Sequence, residues 1–137
     1  AEHLDLHYLR RYVAEKVPLM VPISSLEARL ANQYWEDDNY RLHPLEIIKE
    51  YRRLFGDMPR LLKEHPEWSG RIERIQHADY SHPILVYKGV VIDGLHRILH
   101  ALMGGEQTIP AHIIETLPPE ARVNEETLRE FKDARAK

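Results

Sequence analysis

The part of the sequence that most constrains the fold is residues 87–115, where a β-type pattern changes directly into a helical one. Residues 90–92 (VVI) are β-branched and apolar, and the next apolar residues recur at helical spacing, at Leu95, Ile98, Leu99 and Leu102. Gly104 ends the predicted helix, and residues 108–114 (TIPAHII) are again typical of a strand. This order predicts a strand, a helix and a second strand, with residues 93–97 (DGLHR) at the first junction.

The junction combines features of an anion site. The first N–H groups of a helix have no acceptor within the helix and lie at the positive end of its dipole. Gly94 has no Cβ to hold a ligand away from the backbone, and Arg97 can donate two parallel hydrogen bonds from a permanent charge. The junction can therefore hold a phosphate or a carboxylate, with Gly94 and Arg97 as the residues that favour it.

Asp93 needs a separate explanation, because a carboxylate repels a phosphate unless a proton or a metal ion lies between them. Asp93 could ligate Mg²⁺ or accept a proton from an attacking hydroxyl group. A structural alternative is that Asp93 is only the N-cap of the helix, and that Arg97 only pairs with a nearby carboxylate. The residues alone leave both alternatives open.

Segment VVIDGLHRILHALMGGEQTIPAHII resembles the core of the ParB/sulfiredoxin superfamily, in which a strand, a Gly-x-x-Arg or Gly-x-His-Arg turn, a helix and an Ile-Pro-Ala strand recur. The turn is similar to the Asp-Gly-His-His-Arg turn of the ADP-dependent free-serine kinases in that superfamily, with Leu95 in place of the first His. Sulfiredoxins have Cys at this position, and the chain contains no Cys, so thiol-dependent repair of sulfinic acids is excluded. The Gly-Glu-Arg-Arg turn that is usual in ParB partition proteins is also missing.

This resemblance implies an α+β fold of the ParB/sulfiredoxin kind, a small mixed β-sheet with surrounding helices. It also implies a phosphate or nucleotide site at Gly94, Leu95, His96 and Arg97. The implied cofactors are a nucleotide (ATP, ADP or CTP) and Mg²⁺, and the implied activity is phosphotransfer or nucleotide hydrolysis. Asp93 would then hold the metal or act as base, and His96 would bind phosphate or assist proton transfer. By position Glu27 is the nearest match to the catalytic Glu of the serine kinases, although a capping box explains it equally well.

Two other functions remain open from the sequence. A ParB-like nuclease would use the same turn against a nucleic-acid phosphate, and a non-catalytic module would bind nucleotide to control a protein or DNA partner. The net charge of −3 argues against a dedicated DNA clamp, and nothing resembles a helix-turn-helix domain. The phosphate acceptor, a small molecule or a polymer, is not identified by the sequence, and a homodimer is compatible with it.

The length of 137 residues predicts a single domain, with its core at about residues 17–115 and added helices over 3–16 and 124–136. Arg10 and Arg11 of the first helix are expected on a solvated face. No apolar run is long enough for a membrane span and no signal peptide is recognised, so we expect a cytoplasmic protein without a membrane partner.

Between these termini the pattern predicts short elements. Two prolines indicate an edge or broken strand over residues 17–23. Residues 33–42 lack periodicity and predict a lid or an Ω-loop, whose Tyr34, Trp35 or Tyr40 could stack on a ligand ring. Helices are predicted over 24–32, 43–55 and 58–68, a strand over 71–75, a turn over 77–83 and a hairpin over 84–92.

In the helix over 43–55, the predicted apolar stripe contains Phe55. His96 and His100 are four residues apart on one helical face, but the spacing offers no third metal ligand. For His100 we therefore expect a polar or supporting role rather than a structural metal site.

Overall fold

The computed structural model describes residues 3–37 and 40–123. Its strands are β1 (His3–Leu4), β2 (Leu19–Pro22), β3 (Trp35–Asp37), β4 (Tyr40–Leu42), β5 (Ile84–Tyr87), β6 (Val90–Asp93), β7 (Thr108–Ile114) and β8 (Arg122–Val123). Its α-helices are α1 (Leu6–Val13), α2 (Glu27–Leu30), α3 (Pro44–Arg53), α4 (Met58–Glu64), α5 (Ser69–His77) and α6 (Leu95–Met103). Short 3-10 helices lie at Ile23–Ser25, Pro66–Trp68 and Pro119–Ala121.

A four-stranded mixed sheet in the order β2-β7-β5-β6 forms the centre of the fold. Strands β5 and β7 are parallel, whereas β2 pairs with β7 and β6 pairs with β5 in antiparallel fashion. Two separate antiparallel pairs, β1 with β8 and β3 with β4, lie outside this sheet. The predicted α+β class with a small mixed sheet is therefore confirmed, and the finer ParB/sulfiredoxin-like assignment stays a prediction.

The predicted strand, helix and strand around residue 94 are β6, α6 and β7. They follow a tight β5–β6 hairpin in which Lys88 and Gly89 both have positive φ, 51° and 77°, as a type I′ turn requires. Strand β7 lies beside β5 rather than beside β6, so α6 must pass across a face of the sheet to connect them. The first turn of α6 consequently begins at the end of the edge strand β6.

Apolar residues cover both faces of the sheet. Ile84 and Val86 of β5 pack with Ile98 of α6 and with the segment around α2 on one face. Leu85, between them in the sequence, belongs to a cluster with α1 on the opposite face. A further cluster joins Leu99 of α6 to α3, α4 and α5. Helix α6 is thereby held between the sheet and the other helices.

Strand β2 forms an edge of the sheet, as its prolines predict. The Ile23 N–H donates to Gln107 O, on the side of β7, at 2.9 Å. Because successive residues of a strand direct their N–H groups to opposite sides, the backbone nitrogens of Met20 and Pro22 face outward. Pro22 has no N–H to donate, so this edge is a poor template for a further strand.

The prediction of a loop or lid over residues 33–42 is wrong, because β3 and β4 form a hairpin there with Trp35 opposite Leu42. Leu42 is buried in the cluster of α3 to α5, and Trp35 packs against the same cluster. Only three residues of each strand are paired, which is too short a stretch for the alternation to be recognised in the sequence. Residues 38–39 lie outside the described part.

The predicted strand over residues 71–75 is also wrong, since these residues belong to α5. Ile72 and Ile75 are fully buried and lie three residues apart, which is helical spacing. Phe55 does not join the apolar stripe of α3, because the helix ends at Arg53 and Phe55 is 98% exposed with a φ of 52°. In α5, the tertiary burial of Ile72 and Ile75 outweighs the preference of isoleucine for strands.

The N-terminal helix is shorter than predicted, because β1 precedes α1 and the helix ends at Val13. The predicted helix over residues 24–32 is a 3-10 turn followed by α2, and the Ser25 hydroxyl donates to Pro22 O instead of capping α2. The predicted C-terminal helix over residues 124–136 lies outside the described residues. None of the helices in the described ranges is long and apolar enough to cross a membrane.

Candidate functional site

Gly94 occupies the junction between β6 and α6 in a left-handed conformation, with a φ of 114°. A Cβ at this position would lie 2.5 Å from Cγ2 of Ile84 and 3.2 Å from Nη2 of Arg97. Close packing against β5 is therefore sufficient reason for a glycine here, beside the predicted approach of a ligand. Gly94 itself is the N-cap of α6, so the alternative of Asp93 as N-cap is wrong.

Asp93 instead binds two guanidinium groups. Arg10 of α1 donates from Nε to Oδ2 at 2.8 Å and from Nη2 to Oδ1 at 3.0 Å, which is a bidentate pair. Nη2 of Arg97 lies 3.1 Å from the same Oδ2. The Asp93 side chain is only 13% exposed, so this carboxylate joins the N-terminal helix, the sheet and α6 in a largely covered position.

The partners of Asp93 decide its protonation. Burial is the largest single influence and raises the pKa of Asp93, but the hydrogen bond from Arg10 and the charges of Arg97 and Arg10 together outweigh it. The pKa of this carboxyl therefore lies below its usual value. The stability that these contacts contribute is present above the ordinary carboxyl range and is lost as the pH falls through the lowered pKa.

Arg97 is held in the corner between β5 and α6. Its Nη1 donates to Pro83 O at 2.7 Å and lies 3.4 Å from His82 O. The side chain is 19% exposed and lines the cleft next to the junction, as does Gly94. The backbone N–H of Arg97, in the first turn of α6, has no carbonyl within its own helix to bind. The guanidinium is thus on the side of the junction where the anion site was predicted.

An open cleft of about 460 Å³ lies at this junction. Its volume falls within the range of ordinary ligand pockets. Three guanidinium groups and two imidazoles face two carboxylates around it. The residues that line it are Arg10, Arg74, Ala78, Asp79, His82, Asp93, Gly94, His96 and Arg97. The cleft therefore has the composition expected of an anion site.

Sequence reasoning did not assign Arg10, Arg74 or His82 to the site. Arg10 lies 83 residues before its partner Asp93, and no local pattern in α1 distinguishes it from Arg11. Arg74 was missed because residues 71–75 were predicted as a strand. Predicted as a helix, the same residues would have placed Arg74 on the same face as Arg71. His82 reaches the cleft through the turn before β5, where its Nε2 lies 3.4 Å from Oδ2 of Asp79.

His96 forms a side of the cleft and stacks on Trp35, with ring centroids 4.7 Å apart and planes inclined by 14°. The guanidinium of Arg71 lies 4.5 Å from the centroid of the same indole, and its Nη1 is 3.4 Å from Nε2 of His96. Two groups this close cannot lie on opposite faces of a ring, so both pack on one face of Trp35. Trp35 is thus an internal support of His96, in place of the predicted role in a lid.

The remaining candidates lie elsewhere. Glu27 begins α2 with an exposed side chain and is not among the described residues that line the cleft. Nδ1 of His100 is 2.7 Å from Ala78 O, so this ring fixes the segment after α5. Leu95 packs against the cluster between the sheet and α6, and it is not among the described residues that line the cleft.

A magnesium ion held by Asp93 does not fit the observed contacts. Both carboxylate oxygens accept hydrogen bonds from guanidinium groups, so a metal ion would compete with Arg10 and Arg97 for these oxygens and lie close to their two positive charges. In the described part of the chain, no three His, Asp or Glu side chains are grouped so that they could hold a metal. The metal role of Asp93 therefore stays a prediction that the ion pairs oppose.

Comparison with known protein families, with curated proteins and with solved structures gives no match for this chain. The site is therefore defined by its own geometry, as a cationic cleft beside the first turn of a helix.

Proposed function

We propose that the chain binds a phosphorylated ligand, in the first instance a nucleotide, in the cleft at the start of α6. The observation that carries this proposal is the convergence of Arg10, Arg74 and Arg97 on one open cleft. These residues come from three different helices, so the convergence is a product of the fold. Guanidinium groups are well suited to phosphate, because their planar N–H donors match its oxygens and they stay charged at neutral pH.

Arg74 is the best available donor for a ligand. Among the residues that the structure describes, it makes no ion pair or hydrogen bond, and it is exposed on α5 at the cleft. Arg10 and Arg97 are anchored by Asp93, which fixes their positions before a ligand arrives. Preorganised donors cost a ligand less conformational entropy than mobile ones. The resemblance to nucleotide-binding members of the ParB/sulfiredoxin superfamily suggests a nucleotide as the ligand.

Phosphotransfer or nucleotide hydrolysis would need a group that accepts a proton. Asp93 is a weak candidate, because two guanidinium groups bind it and its pKa is lowered. Glu27 does not line the cleft. The geometry therefore supports binding better than turnover, and we restrict the proposal to binding.

Calorimetric titration with inorganic phosphate, ATP, ADP and CTP, with and without Mg²⁺, tests the proposal. We expect Arg74→Ala to weaken binding about tenfold, because it removes charge-assisted hydrogen bonds to the ligand. The matched control is Arg52→Ala, since Arg52 is also exposed on a helix and lies away from the cleft. The Arg52→Ala variant should bind the ligands with the affinity of the wild type.

Two outcomes would contradict the proposal. Equal losses in Arg74→Ala and Arg52→Ala would mean that the ligand responds only to net charge. Binding of single-stranded oligonucleotides without any binding of mononucleotides would favour the nuclease reading instead.

A further inference from the structure

The charges around the cleft are unequal in number. Arg10, Arg74 and Arg97 outnumber the carboxylates of Asp79 and Asp93. Asp79 is itself bound by the N–H and the hydroxyl of Ser81, at 3.0 and 2.6 Å, and its side chain is 60% exposed, so water screens its charge. The cleft therefore favours a ligand group with more than one negative charge.

The hydrogen-bond donors are also in excess. A guanidinium has five N–H groups. Arg10 donates two of its N–H groups to Asp93 and has three left. Arg97 donates three, to Asp93, Pro83 O and His82 O, and has two left. Arg74 has no such contact among the described residues, so all of its donors remain. This set can satisfy the lone pairs of three terminal oxygens.

We infer that the cleft takes a terminal phosphate monoester rather than a phosphodiester, an inference that rests on the proposed function. A monoester has three terminal oxygens and carries nearly two negative charges at neutral pH, since its second pKa is about 6. A diester has two terminal oxygens and one charge. The monoester therefore uses more of the donors and interacts with the excess positive charge about twice as strongly.

AMP and cyclic 3′,5′-AMP provide a matched pair of probes, because they share the base and the ribose and differ in the phosphate. At about pH 7.5, above the second phosphate pKa, and at fixed ionic strength, we expect AMP to bind the wild-type chain about tenfold more tightly. Inorganic phosphate should compete with AMP.

The ratio of the two affinities should follow the charge of the cleft. Arg74→Ala removes a positive charge and should lower the preference for AMP by several-fold, whereas Arg52→Ala should leave it unchanged. Asp93→Asn removes a negative charge and should raise the preference. A role of Asp93 in holding Mg²⁺ makes a different prediction, namely that Asp93→Asn weakens binding only when Mg²⁺ is present.

The outcomes separate this inference from the proposed function. If phosphate and both nucleotides fail to bind, both are overturned. If the nucleotides bind with equal affinity, or if Arg74→Ala leaves the ratio as it is in the wild type, the monoester inference is overturned while phosphate binding stands. Arg74 is exposed on α5 and makes no ion pair or hydrogen bond among the described residues, so Arg74→Ala should fold. The test therefore does not depend on Asp93→Asn.

Discussion

At the scale of single residues, the junction depends on the missing side chain of Gly94. Its φ of 114° is a conformation that residues with a Cβ rarely adopt. The space in which a Cβ would lie is occupied by Ile84, a fully buried residue of β5 that is not free to move. Backbone conformation and packing thus require the same residue independently.

We expect Gly94→Ala to destabilise the fold by about 3 kcal/mol, through the left-handed backbone and the displacement of Ile84. Urea denaturation would measure the change. Gly70→Ala is the control, because Gly70 lies in α5 with no heavy atom within 4 Å of its would-be Cβ. This variant should be stabilised by about 0.5 kcal/mol. A similar loss in both variants would show that the contact with Ile84 is not the cause.

At the scale of elements, the edge strand β2 shows how the sequence limits pairing. The side chains of Leu19 and Met20 are 61% and 62% exposed, so this edge carries an apolar surface. Pro22 has no N–H to direct outward from this edge. Pro18 lies four residues earlier, just before the strand, so its nitrogen is on the same side and also lacks an N–H. Prolines at such positions prevent a second chain from extending the sheet.

Replacing Pro18 and Pro22 by alanine restores two N–H groups and should cause concentration-dependent association, which light scattering would detect. Pro59→Ala serves as the control, because this exposed proline lies in the first turn of α4, away from any strand. The double variant is expected to associate while the control keeps the behaviour of the wild type. Equal scattering by both would mean that the prolines do not protect the edge.

At the scale of the whole molecule, the sheet and α6 connect the apolar clusters. Leu85 of β5 packs with α1, while its neighbours Ile84 and Val86 pack toward α6. Leu99 of α6 then extends the contacts to α3, α4 and α5. A disturbance on the α1 side should therefore reach the helices on the far side of the sheet.

Leu9→Ala tests this coupling, because Leu9 is fully buried in the α1 cluster. We expect a loss of about 3 kcal/mol in the free energy of unfolding. The tryptophan side chains, Trp35 and Trp68, both belong to the cluster of α3 to α5. If the molecule unfolds cooperatively, their fluorescence and the far-ultraviolet circular dichroism should shift to the same lower midpoint. A fluorescence midpoint that stays in place would show that α1 unfolds on its own.

Prediction from the sequence succeeded where local signals agree and failed where pairing is decided at a distance. The change from strand to helix at Gly94, the hairpin at Lys88-Gly89 and the proline-marked edge are local, and they were predicted correctly. Helix α5 and the hairpin of β3 and β4 were missed. In these short segments, the neighbouring helices determine which apolar residues are buried.

The sequence by itself determined the position of the junction at residues 93–97, because hydrophobic periodicity and glycine conformation act over a few residues. The α+β class was implied by the resemblance of this segment to the ParB/sulfiredoxin core. Only the tertiary structure decided which charges meet at the junction. Arg10 and Arg74 come from distant segments, and their approach to Arg97 depends on how α1 and α5 pack. Electrostatic interactions depend on distance in space, and the spacing of residues along a chain does not specify that distance.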